Sequence, residues 1–165
     1  MFQQPMSDVQ NFSDASPKQI LRTLRTIWLA LLLGQIALFI VVAVVITNGG
    51  VQIGSANNQL VQPLFYLSLA MLLAFVPVGY LLRTTIYKKN WHGDVITPRG
   101  YFTGNLLLLA LCEAVALFAL VVTLLSGTFG LTLLPAVAAM AVQVVNIPTG
   151  RPMQPAVPSF GARER

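Results

Sequence analysis

One acidic residue, Glu113, lies inside a long apolar run from Leu106 to Leu125, next to the lone thiol of Cys112. A carboxylate in hydrocarbon is disfavoured because desolvation penalises the charged form, so this carboxyl must be protonated or partnered. Acidic groups so placed either bind protons and ions or tie helices together. The polar side chains in other apolar runs able to meet it are Gln35, Ser68 and Gln143. Glu113, Gln35 and Gln143 are therefore the candidate ion-binding site or buried polar contact. An acidic residue at mid-span disfavours insertion by about 2.5–3.5 kcal/mol, whereas each large apolar neighbour favours it by about 0.3–0.6 kcal/mol. Roughly ten such neighbours offset the charge, and the segment still enters a bilayer.

The rest of the sequence is poor in reactive chemistry. His92 has Trp91 and Asp94 beside it but no Cys or second His in reach, so no metal ligand set is expected. With one cysteine in the chain there is no internal disulfide. No glycine-rich phosphate loop, carboxylate pair or nucleophile constellation is present, so neither an enzyme nor a cofactor is expected.

The elements that must position Glu113 follow from composition. The chain has 165 residues, of which 56% are hydrophobic and only 9% charged, against roughly 25% charged in a soluble domain. A mean hydropathy of +0.74 places the apolar excess against lipid. A helix needs about 20 apolar residues to cross the hydrocarbon core. Runs of this kind predict an all-α polytopic membrane protein, an antiparallel bundle of four transmembrane helices. The expected spans are about 26–47, 63–83, 103–125 and 131–147, the last being the shortest. They form one membrane domain over 16–148, between a flexible N-terminal segment (1–15) and a Pro-rich tail (149–165).

Ser16-Pro17 and Thr97-Pro98 each set a capping hydroxyl before a proline at the first helical position. The first helix is thus expected to begin near Pro17, well ahead of the apolar run. Pro77 is expected to kink the second helix and free the carbonyl of Leu73.

Orientation follows from Lys and Arg. All ten lie in three segments: Lys18, Arg22 and Arg25 before the first span; Arg83, Lys88, Lys89 and Arg99 around the loop between the second and third; Arg151, Arg163 and Arg165 in the tail. The two other loops, Thr47–Pro63 and Ser126–Gly130, carry no charge. Both termini are therefore expected in the cytoplasm, with the chain in the inner (cytoplasmic) membrane. Lys18, Arg22, Arg25, Lys88 and Lys89 are expected to meet anionic headgroups, each contributing about 1 kcal/mol near the surface. Trp28, Trp91, Tyr80, Tyr87 and Tyr101 read as interfacial aromatics on that side. The net charge of +5 is scattered at helix ends rather than gathered on one basic face, which excludes nucleic acid as a partner.

Small residues mark close helix approach in lipid. Ala30, Gly34 and Ala37 share a face of the first helix, Ala110, Ala114 and Ala116 one of the third, and Ala136, Ala139 and Gln143 one of the fourth. These faces serve either packing within the bundle or contact with further copies or a membrane complex. The first and third helices also echo one another, Gln35 before Ala37-Leu38-Phe39 and Glu113 before Ala116-Leu117-Phe118.

The stretch Leu111-Cys112-Glu113-Ala114-Val115-Ala116-Leu117-Phe118 resembles the carboxylate helix of rotary ATPase proteolipid (c-type) subunits. The resemblance implies that Glu113 binds a proton or sodium ion, although the glycine-rich partner helix of that family is absent. One membrane glutamate among four helices is also similar to small dimeric multidrug transporters, where the glutamate belongs to the first helix. Across most of its length the chain resembles uncharacterised bacterial four-helix membrane proteins, through Leu24-Arg25-Thr26-Ile27-Trp28, a central glutamate in the third helix, and Pro148-Thr149 after the fourth. The expectation is a non-enzymatic accessory or scaffold component acting through helix packing. The alternatives are a proton- or sodium-translocating proteolipid-like subunit using Glu113, and a small dimeric transporter.

Overall fold

The computed structural model describes residues 16–49 and 58–154. The N-terminal segment 1–15, the middle of the loop after the first helix, and the tail beyond Gln154 lie outside the described residues.

Helix α1 spans Pro17–Thr47 and starts where the capping motif requires. The Ser16 hydroxyl accepts from the Gln19 amide at 3.4 Å while the Ser16 amide donates to Gln19 Oε1 at 3.2 Å, a reciprocal box. Helix α2, Asn58–Lys89, continues through Pro63 and Pro77, and Lys88 and Lys89 in its last turn complement the helix dipole. A small hairpin follows, β1 (Trp91–His92) pairing antiparallel with β2 (Val95–Ile96), around Gly93 at φ +58. The Gly-Asp pair at its tip is a two-residue hairpin signal inside what reads as a plain basic loop. Helix α3, Pro98–Ser126, is capped by Thr97, whose hydroxyl accepts from Gly100 N at 3.3 Å, and stops at Gly127 in the left-handed conformation. A 3₁₀ turn at Leu131–Leu133 leads into α4, Leu134–Val145.

Among the described residues the structure is helical apart from this hairpin and the connecting turns, and three helices, α1, α2 and α3, are long and apolar enough to cross a membrane. Helix α4 is apolar but short: its 12 residues extend about 18 Å, and the preceding turn adds about 6 Å, against a hydrocarbon core of about 30 Å.

Helix α3 is the centre of the packing. Its inward side buries Leu108, Leu109, Cys112, Val115, Ala116, Ala119 and Leu120, while most of α1 and α2 faces outward. Against it, α1 ascends in the same order: Leu24 meets Tyr101 and Leu109, and Val42 meets Ala119 and Leu120. Helix α4 runs in the reverse order, Ala136 packing near Ala119 and Leu120, Ala139 near Val115 and Ala116. So does α2, with Met71, Leu72 and Phe75 beside Val115 and Ala116 and Gly79 against Leu108.

The small-residue faces divide between the two roles expected of them. Ala30, Gly34 and Ala37 are exposed, as are Ala110 and Ala114, so these small faces pack nothing within the chain; a Cβ on Gly34 would meet no atom within 4 Å. Ala116, Ala136 and Ala139 are buried, and the close approach they allow is that of α4 on α3. The start of the tail, 148–154, is docked on the helices. Arg25 Nε donates to the Pro148 carbonyl at 3.0 Å, the Gly150 amide donates to the Tyr101 hydroxyl at 3.0 Å, and Met153 joins the cluster of Leu24, Ile96 and Tyr101. This strap closes over the end of the molecule where α1 and α3 begin.

Candidate functional site

Three helices converge on Glu113. Gln35 of α1 and Gln143 of α4 both turn their amides inward, and both Nε2 groups donate to the same carboxylate oxygen, Glu113 Oε2, the second at 3.3 Å. Gln143 Nε2 also lies 3.3 Å from the Leu109 carbonyl, one turn back along α3. The two glutamines are fully buried, whereas Glu113 is partly open at the edge of the α3 face. Three side chains far apart in sequence thus meet because α1 and α4 flank the same edge of α3.

The cluster is not closed as a hydrogen-bond network. Gln35 Oε1 and Gln143 Oε1 are buried with no donor among the described residues. A buried acceptor left without a partner is costly, about 1–3 kcal/mol. Both orphans sit on the amides that already grip the carboxylate. A half-turn of either amide exchanges its N–H donor for an oxygen without changing its shape. The site therefore presents either two donors to a carboxylate, or a carboxyl with two amide oxygens, a set of hard oxygen ligands. Ser68, the remaining candidate partner, is buried but donates to the Phe65 carbonyl of its own helix at 2.7 Å and takes no part.

Near the basic end lies a second polar group that sequence reading did not assemble. Asn105 Nδ2 donates to the Tyr87 hydroxyl at 2.6 Å and to the Tyr101 carbonyl at 2.7 Å. Arg83 Nε donates to the same hydroxyl at 3.0 Å, and its Nη1 donates to Asn146 Oδ1 at 2.9 Å. Asn146 in turn donates to the Tyr80 hydroxyl. Tyr87 stacks on Tyr101 with ring centroids 5.9 Å apart. Of the aromatics expected at an interface, Tyr101 is buried in the protein instead, because its hydroxyl receives the Gly150 amide. Trp28 is half-buried and donates to the Gln143 backbone carbonyl at 2.9 Å, satisfying an acceptor of the last turn of α4. Trp91 is exposed on the hairpin. The available signal was the polar Asn105 at the head of the apolar run of α3 and the Gly104 beside it, where a Cβ would stand 2.8 Å from the Tyr87 ring.

The headgroup candidates Lys18, Arg22, Arg25, Lys88 and Lys89 are all exposed, although Arg25 also holds the strap. His92 is exposed at the hairpin, and among the described residues no group of three metal-ligating side chains gathers. The fold and site together define a helical protein with, among the described residues, three helices of membrane-spanning length and a polar cluster where α1, α3 and α4 meet. Comparison with protein-family models, curated proteins and solved structures finds no match for the chain.

Proposed function

We propose that the chain is a multi-pass protein of the inner (cytoplasmic) membrane, with four spans in an antiparallel bundle and both termini cytoplasmic, acting as a non-enzymatic accessory or scaffold component through helix packing. The observation that carries this reading is the shared grip of Gln35 and Gln143 on one oxygen of Glu113, which joins the middles of α1 and α3 to the last turn of α4. Polar contacts of this kind hold helices together where lipid offers no hydrophobic drive. Supporting the orientation, Lys18, Arg22, Arg25, Arg83, Lys88, Lys89, Arg99 and Arg151 belong to the end of the molecule closed by the strap, and the turn from Ser126 to Gly130 at the opposite end carries no charge.

The test is labelling of intact cells with a membrane-impermeant maleimide, in a Cys112→Ala background with Thr128→Cys or Lys89→Cys. Labelling at 128 and protection at 89 is expected; the reverse pattern, or labelling of both, refutes the topology. Gentle native extraction should then recover the chain with membrane partners, and recovery as a bare monomer counts against a scaffold.

The orphaned amide oxygens favour a second reading, in which Glu113 and both glutamines bind a proton or sodium ion for translocation. Dicyclohexylcarbodiimide labels protonated carboxyls held in lipid. Selective labelling of Glu113, suppressed by sodium, supports this reading, whereas no labelling and unchanged proton flux in liposomes after Glu113→Gln rules it out.

A further inference from the structure

The outward side of α1 carries a pattern that packing inside the chain does not use. Lys18, Arg22 and Arg25 lie three or four residues apart on one sector of the helix, and Leu29, Leu33, Ile36 and Ile40 continue the same sector in the same steps. The apolar continuation is outward-facing, each of its four side chains 42% to 55% exposed. Leu24, Gln35 and Val42, on the other side, are the residues that meet α3. At the basic end the surface is concave, about 320 Å³, lined by Lys18, Leu21, Arg22, Arg25, Thr26 and Leu29. Arg25 is held in place there by its Nε bond to the Pro148 carbonyl, and its two terminal nitrogens bond no other described residue, which suits them to an anion.

We propose that this stripe binds one anionic phospholipid of the cytoplasmic leaflet, its phosphate held among Lys18, Arg22 and Arg25 and an acyl chain lying along Leu29, Leu33, Ile36 and Ile40. The inference rests on the membrane reading above and names the ligand class of its basic end. From Leu29 to Ile40 the helix rises about 16 Å, roughly half of the 30 Å hydrocarbon core and so the depth of one leaflet. A free phosphate would use the three cations but leave the apolar track idle, and a zwitterionic lipid would use the track but not the net positive charge. Only an anionic amphiphile fits both.

The test uses the full chain with Trp91→Phe, so that Trp28, next to Leu29, is the sole indole. It is reconstituted in phosphatidylcholine vesicles containing either brominated phosphatidylglycerol or brominated phosphatidylcholine at equal mole fraction. Stronger quenching by the anionic lipid is expected, with a relative affinity of at least about fivefold, the value of a single basic residue near an anionic surface. Lys18→Gln with Arg22→Gln, both exposed positions, should bring the ratio towards unity without moving the thermal midpoint. Equal quenching by the two lipids in the native chain overturns the proposal. Inorganic phosphate, compared with sodium chloride at matched ionic strength, should not compete; if it abolishes the preference, the site is one for a soluble oxyanion and the lipid assignment is wrong. Alkaline carbonate separates the two levels of inference: release of the native chain from vesicles refutes the membrane reading itself, while retention without lipid preference refutes only this site.

Discussion

Replacing Glu113 by leucine removes the one acceptor that Gln35 Nε2 and Gln143 Nε2 share. Both glutamines are at most 1% exposed, so neither amide can turn to water for a substitute. Interhelical polar contacts in membranes contribute about 0.6 kcal/mol on average and about 1.7 kcal/mol at most. Loss of the pair should therefore cost about 1–3 kcal/mol. For a chain of this size a loss of 1 kcal/mol lowers the midpoint by about 2–4 °C, so a fall of about 2–12 °C is expected. Thermal unfolding in mild detergent, followed by fluorescence with Trp91→Phe as background, reads this at Trp28, which bonds the Gln143 carbonyl and so senses the α1–α4 contact. Glu113→Gln is the necessary companion: its side-chain oxygen accepts the same two N–H groups, and most of the stability should remain. If Glu113→Leu unfolds with the native midpoint, the polar junction holds nothing together and the scaffold argument fails. If Glu113→Gln falls as far as Glu113→Leu, charge rather than acceptor geometry stabilises the site, and the ion-binding reading takes precedence.

Three further outcomes follow from the packing. Gly104→Ala drives a methyl to 2.8 Å from the Tyr87 ring; the ring must shift, weakening its bond to Asn105, for a loss of about 1–3 kcal/mol in the same unfolding assay. Gly150→Ala forces a side chain into a φ of +75 and within 2.7 Å of Leu21, costing about 1–2 kcal/mol; limited proteolysis should then cut within 148–154 where the native chain resists. Ser16→Ala removes the reciprocal cap of α1 and should cost about 1 kcal/mol, seen as faster amide exchange over Lys18–Leu21 with no change at Glu113.

Much of this arrangement was legible in the residues. The hydroxyl-proline pairs at Ser16 and Thr97 set the starts of α1 and α3 because their local hydrogen bonds need no knowledge of the rest of the fold. Gln35 and Gln143 were legible as partners of Glu113 because buried polar groups in apolar helices have few places to go. What the pattern did not carry is which helix lies at the centre. All the long helices are apolar around most of their circumference, so periodicity has little contrast to mark the buried side of α3. The same lack of contrast left open whether the Ala30–Gly34–Ala37 face turns inward or outward, and in the fold it points outward. Asn105 with Tyr87, and Gly150 with Tyr101, are joined only by the way α2 and the strap return to α3, which no local spacing encodes.

The central position of α3 has a consequence for biogenesis. A ribosome releases helices in sequence order, so α1 and α2 emerge before the element on which both chiefly pack. Until Glu113 arrives Gln35 has no carboxylate to meet, and Gln143 comes later still. The nascent chain must therefore hold two weakly associated helices through the synthesis of the third, and truncation after Lys89 should leave products prone to quality-control proteolysis.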